Sequence, residues 1–258
     1  MKNLGKAGLF FVCLPAAAWG PEGHRLVSRI AATQLTQNAQ ARVKEILGPD
    51  STIVSVSSWA DEVRRNRPTT APWHYVNIPL VKSHIDMARD CVNDTCVVGE
   101  ILVLRRKLQD PATSADDRRE ALMFVIHFIG DMHEPLHCLD HEGGNGVRVV
   151  FHERPTNLHS LWDSGLLNRM PAEDQLFTEL SADCARRAKQ LGRGSVQDWA
   201  NQSHKEARKV AYGPLAKAMG DAPIAIPAVY EAKADVVVKE QIEKAGARLA
   251  AYLNAVFQ

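Results

Sequence analysis

Two His-x-x-x-Asp pairs, His127 with Asp131 and His159 with Asp163, are the residues of this chain best spaced to do chemistry. At i and i+4 of a helix, each pair lies on one face, one turn apart. Imidazole nitrogens and carboxylate oxygens so arranged are habitual ligands of Zn2+, which takes three or four of them. A lone pair of this kind is more often a surface ion pair. Here six of the ten histidines fall between residues 127 and 159, which turns the balance toward a metal centre. His127 and Asp131 also interrupt an otherwise apolar run from Phe124 to Met132. Buried there, each costs several kcal/mol unless compensated. A bound cation compensates both, and the bland alternative is an Asp-His hydrogen bond in the core. Asp61, in Trp59-Ala60-Asp61, and His74, in Trp73-His74-Tyr75, are further candidates that alone would be unremarkable.

The elements that must position these groups are mostly helices. Val27, Ile30, Ala31 and Leu35 recur at helical spacing, and Val43, Ile46 and Leu47 repeat it before Gly48, a stop signal. Ser114 with Asp116 and Asp117 reads as the capped start of a long helix through His127, which Pro135 forbids from continuing. Further helices are predicted around 97–109, 172–191, 196–212 and 239–256. Only His74 to Ile78 and Val147 to Phe151 read as strands, enough for a small ribbon. There is no repeat period and no linker-like stretch, so one mainly α-helical domain over residues 19–258 is expected.

Residues 1–18 read as a signal peptide: Lys2 and Lys6 precede a short apolar run and a small-x-small end at Ala16-Ala17-Ala18. The run is too short to span a bilayer, and no later segment is long enough. A secreted or periplasmic protein is therefore expected. Without those residues 29 basic side chains face 30 acidic ones, so overall charge does not announce a nucleic-acid binder. In an oxidising compartment the remaining cysteines can pair. Cys91 and Cys96 frame a polar loop and are expected to close it; Cys138 with Cys184 is then a pairing by elimination.

Six segments together resemble the zinc-dependent S1/P1, or type I, nuclease family. They are Trp19-Gly20-Pro21-Glu22-Gly23-His24, the Trp-Ala-Asp and Trp-His-Tyr segments, His127 to His137, Gly143-Gly144-Asn145, and Asn157 to Asp163. Ala245 to Ala250 is similar to the family's last helix. The resemblance implies a helical fold of the phospholipase C and P1 nuclease type, with three Zn2+ at the bottom of a cleft. The first zinc would be held by Asp61, His74, His127 and Asp131, and the second by His137, His159 and Asp163. The third would take His24, the bridging Asp131, and the α-amine and carbonyl of Trp19, so that signal cleavage creates a ligand. His133 is not carried over as a ligand; support from outside the ligand shell is its expected role.

The activity implied is hydrolysis of single-stranded DNA and RNA to 5′-phosphate products, with 3′-nucleotidase activity, by a monomer. Three Zn2+ against three aspartates make the site cationic by about three charges, although the protein is near neutral. Asp61 and Asp131 would serve catalysis. Arg64, one turn from Asp61, matches the family's phosphate-clamp position; a solvated arginine is the alternative. Tyr75 sits where the family stacks a base on an aromatic ring, and Asn77 would face the base edge. Fungal relatives are expected to carry Phe and Asp at those two positions, and a core aromatic is the other reading of Tyr75. Two rival functions stay open, a secreted zinc-dependent phospholipase C and a non-catalytic protein that zinc stabilises. Against the first, the last ligand pair ends in Asp163 where Glu is expected; against the second, three protein ligands leave the second zinc coordinatively open.

Overall fold

A computed structural model describes residues 19–258 apart from 219 and 221; the expected signal peptide lies outside the described residues. The helices are α1 (Pro21–Ala32), α2 (Gln37–Leu47), α3 (Trp59–Asn66), the short α4 (Met87–Asp90), α5 (Val97–Gln109), α6 (Ala115–Asp131), the single turn α7 (Leu158–Ser160), α8 (Glu173–Leu191), α9 (Val196–Glu206) and α10 (Ala228–Val256). Their ends follow local chemistry. Thr36 and Ser114 accept from the Ala39 and Asp117 amides to start α2 and α6, and Gly48 ends α2 at φ 85°. Ser195 and Asp198 form a reciprocal capping box at α9. The last helix begins eleven residues earlier than predicted, directly after Pro227.

The core forms around α6, in which every residue from Ala121 to Asp131 is buried. A helix apolar on all sides belongs inside, so α1, α2, α3, α5 and α10 pack around it. Two glycines permit close approach. A Cβ on Gly246 of α10 would stand 2.5 Å from Ile30 Cγ2 of α1, and one on Gly130 of α6 would stand 2.7 Å from His24 Nδ1. The second contact lets the His24 ring lie against the helix that carries His127 and Asp131.

The sheet differs from expectation. Arg148–Phe151 (β1) pairs antiparallel with Arg154–Asn157 (β2) and parallel with Ile224–Ala225 (β3), in the order β2-β1-β3. His152 and Glu153 turn the hairpin with φ of 46° and 65°, the left-handed pair of a tight two-residue turn. Pro155 is tolerated because β2 is an edge strand. His74 to Ile78 is not a strand. It leaves a 3-10 turn (Pro68–His74) as extended chain, and Val76 N donates to His137 O at 2.8 Å while Asp140 N donates to Ile78 O at 3.1 Å. Its neighbour at Pro135–Cys138 is itself a 3-10 turn, so no ladder can propagate.

Cys91 and Cys96 form the expected disulfide, just ahead of α5. The pairing of Cys138 with Cys184 does not occur; both are buried free thiols. Cys138 Sγ packs toward Met132 O, whereas Cys184, on α8, packs toward Glu243 O and Gln34 Nε2, so elimination paired two thiols with separate surroundings.

Candidate metal centre

Six short segments converge on one buried cluster. His24 comes from the first turns of α1, Asp61 from α3, His74 from the end of the 3-10 turn, and His127 with Asp131 from α6. His137 comes from the 3-10 turn after α6, and His159 with Asp163 from α7 and the π turn Leu161–Gly165 that extends it. A π turn at such a place is common at functional sites. Donor atoms gather into three groups, each with all members within 4.8 Å of one another: Asp61, His74 and His127; His24, His127 and Asp131; and Glu134, His137, His159 and Asp163.

Asp131 joins the first two. Its Oδ1 stands 3.2 Å from both His24 Nε2 and His127 Nε2, and its Oδ2 stands 2.8 Å from His74 Nδ1. Asp61 Oδ1 is 3.7 Å from His127 Nε2 and 4.0 Å from His74 Nδ1. In the third group Asp163 lies 3.4 Å from His159 Nε2 and 3.9 Å from His137 Nε2. Ligands about 2.0–2.2 Å from a tetrahedral zinc are spaced about 3.3–3.6 Å from each other, and most of these separations are close to that.

Hydrogen bonding sets the imidazole tautomers. His127, His137 and His159 turn Nδ1 toward the carbonyls of Ser57, His74 and Gly143 at 2.7, 2.8 and 2.9 Å. A carbonyl only accepts, so Nδ1 carries the proton and Nε2 presents a lone pair to the centre. His133 is different: Nδ1 donates to Ile129 O at 2.6 Å and Nε2 accepts from Arg248 at 2.8 Å, leaving no nitrogen for a metal. It braces the end of α6 against α10.

The cluster fits a cation by what it leaves unsatisfied. His24 Nε2, Asp61 Oδ1, His127 Nε2, Asp131 Oδ1, Glu134 Oε1, His137 Nε2 and Asp163 Oδ1 are all buried without a hydrogen-bond partner. Native interiors rarely leave such atoms unpaired, and here they point at one another. Burial together with repulsion from Glu134, Asp131 and Asp61 drives the Asp163 carboxyl well above its ordinary range. Burial, then the neighbouring His159, lowers His137 to about 3, the neutral form that ligates. Asp131 goes the other way: burial opposes its charge, but the His127, His24 and His74 rings within 3.2 Å of its oxygens hold it well below the usual carboxylate range.

Of the other residues singled out in the sequence, Trp19 is fully buried, and Gly20 N donates to Asp163 O at 2.8 Å, which ties the start of the domain to the third group. Arg64 stands 3.4 Å from Asp61, and its charge is felt at His74, His159 and Asp163, so it lies between the metal groups rather than out in solvent. Tyr75 is 37% exposed, which excludes the core reading. Alternation along the extended segment buries His74, Val76 and Ile78 and exposes Tyr75 and Asn77 on one side. Sequence reasoning missed Glu134. Preceding Pro135, it reads as a mere N-cap of the following turn, and the one signal was its place inside the histidine-rich run.

The sequence profile of the S1/P1 nucleases matches residues 19–258. Endonuclease 4 of Arabidopsis thaliana is 35% identical over 202 residues, 72% of this chain and 66% of that protein. Endonuclease 2 of the same plant is 37% identical over 170 residues, 60% of this chain and 58% of that one. Nuclease P1 of Penicillium citrinum is 34% identical over 154 residues, 57% of each. The matched regions thus span less than two thirds of each of these relatives. No helix among the described residues is long and apolar enough to cross a membrane. With the family profile covering the whole described chain and its histidine and aspartate positions gathered into one buried cluster, the protein belongs to the S1/P1 nuclease family.

Proposed function

We propose that this protein is a zinc-dependent endonuclease that cleaves phosphodiester bonds of single-stranded DNA and RNA to 5′-phosphate products, acts also on 3′-nucleotides, and works outside the cytoplasm as a monomer after loss of residues 1–18. The observation that carries this reading is the pair of donor groups that share His127 and are bridged by the Asp131 carboxylate, beside a third group within the same fold. Asp61, His74, His127 and Asp131 would hold one zinc, and His137, His159 and Asp163 another. His24, Asp131 and the freed terminus at Trp19 would hold the third. Bound zinc lowers the pKa of water and neutralises charge on the phosphate and the departing oxygen.

The chain's own groups do the rest. Arg64, within reach of the third group's field, binds a non-bridging phosphate oxygen and stabilises charge that grows there. Asp61 is the most exposed carboxylate of the first two groups, at 12% against zero for Asp131, and is placed to accept a proton from incoming water. Tyr75 offers a ring face to an unstacked base, and Asn77, two residues on and on the same side, offers its amide to the base edge. A paired duplex keeps its bases stacked, which accounts for the single-strand preference.

Turnover on single-stranded DNA, RNA and phosphatidylcholine side by side, with metal analysis of the same sample, tests this reading. Cleavage of both nucleic acids, inertness toward the lipid, and close to three zinc ions per chain are expected; lipid hydrolysis alone, or one ion or fewer at full activity, would overturn it. Tyr75→Ala should weaken binding of single strands by about 1–3 kcal/mol with zinc content unchanged. A Michaelis constant equal to that of the parent would remove Tyr75 from the base site.

A further inference from the structure

Glu134 stands at the start of the 3-10 turn Pro135–Cys138, where its Oε2 accepts the His137 amide at 2.9 Å. That role needs an acceptor and no charge; a glutamine, serine or asparagine would fill it. The other oxygen is the one without an explanation. Oε1 belongs to a fully buried side chain and has no hydrogen-bond partner, and the Glu134 carboxylate shares with His137, His159 and Asp163 a space in which one donor atom of each lies within 4.8 Å of the others. Asp163 Oδ1 and His137 Nε2 in the same space are equally unpartnered.

Two buried carboxylates facing one another are unfavourable unless something positive stands between them. Arg64 is a cation that acts on Asp163, and it is also 3.4 Å from Asp61, which draws on the same charge. Two neutral imidazoles complete the group, with lone pairs turned inward by the carbonyls of His74 and Gly143. Two nitrogens and two carboxylate oxygens around one point make a charge-neutral ligand set for Zn2+, which can still admit a substrate oxygen by expanding to five ligands, whereas the three-ligand set without Glu134 leaves one positive charge uncompensated.

We propose that Glu134 is a fourth protein ligand of the zinc held by His137, His159 and Asp163, with Oε2 kept on the His137 amide and Oε1 turned to the ion. This rests on the zinc reading above and extends it. Its consequence is retention: this ion stays bound at lower free zinc than a shell of three protein ligands would allow, and the His137 turn is locked to the metal through both the ring and the capping side chain.

The variant that isolates the charge is Glu134→Gln, which keeps the shape and an acceptor for His137 N. Parent and variant would be equilibrated against a series of buffered free-zinc concentrations, with bound zinc and Tm measured at each. The expected result is that the variant releases one zinc ion at a free-zinc concentration at least about 10- to 100-fold higher, as for damage to a metal's supporting shell. Its metal-free Tm should be no lower than the parent's, because a buried charge has been removed, while the rise in Tm on zinc loading should shrink. A crystal of the zinc-loaded parent should place Oε1 about 2.0–2.2 Å from the anomalous peak; this measurement stands even if the variant does not fold. Overlapping zinc-release curves, or an Oε1 well beyond bonding distance, would overturn the proposal while leaving the zinc reading intact. A parent that binds no zinc would overturn both.

Discussion

Asparagine at position 131 is expected to lower hydrolysis of single-stranded DNA by at least about a hundredfold and to leave the protein with fewer zinc ions than its parent. Among the described residues, Asp131 turns its two oxygens toward two different donor groups, Oδ1 toward His24 and His127 and Oδ2 toward His74. An amide has a single acceptor oxygen, and its NH2 would point at a nitrogen lone pair. Both groups that Asp131 bridges are therefore damaged at once, whereas the group of His137, His159 and Asp163 keeps its ligands. A hundredfold loss corresponds to about 2.7 kcal/mol of transition-state stabilisation. Damage confined to supporting residues outside a metal's ligands typically costs 10- to 100-fold, so the loss of a shared ligand should lie at or beyond the upper figure. Metal analysis and initial rates on one preparation check it; an asparagine variant with full zinc and full rate would show that Asp131 does not bridge.

Comparable in size is the expected effect of chain processing. If the α-amine and carbonyl of Trp19 chelate the third zinc, any residue left in front of Trp19 turns that amine into a peptide nitrogen, which has no available lone pair at neutral pH. His24 and Asp131 alone would hold the ion poorly. Trp19 is fully buried, and the Gly20 amide is anchored on Asp163 O, so the processed terminus has little freedom to compensate. Protein beginning at Trp19 and protein beginning Met-Gly-Trp19 should differ by about one zinc ion and by at least roughly 10- to 100-fold in turnover. Equal zinc and equal rates, with mass spectrometry showing the extension still attached, would falsify the terminal-ligand assignment.

How far the chain alone discloses this centre can be judged residue by residue. His127 with Asp131 and His159 with Asp163 were visible because helical periodicity places i and i+4 together without any tertiary information. The helix start at Ser114 and the stop at Gly48 were equally local, since capping depends on three or four neighbouring residues. Asp61, His74, His24 and Tyr75 were different. Nothing in their own segments marks them, and the resemblance of six segments to a family supplied their roles.

What local chemistry could not supply was anything depending on contact across the chain. Strand β2 was hidden because His152-Glu153 carries no glycine or asparagine to announce a tight turn, and Pro155 argues against a strand unless the strand is an edge. His74 to Ile78 has the composition of a strand, but its neighbour is a 3-10 turn, so it forms two backbone bonds to the 137–140 stretch and no ladder. Cys138 and Cys184 were paired by counting, which ignores that each thiol is enclosed by different helices. Glu134 shows the same division. Its place before Pro135 determines that it caps a turn, but only the packing of that turn against His159 and Asp163 leaves its second oxygen buried, unpartnered and facing the metal ligands. The amino-acid sequence by itself determined the helices, their caps and the ligand pairs one turn apart, because those depend on near neighbours. The tertiary structure decided which distant groups share one buried space, because that depends on desolvation and contact, which residue spacing does not encode.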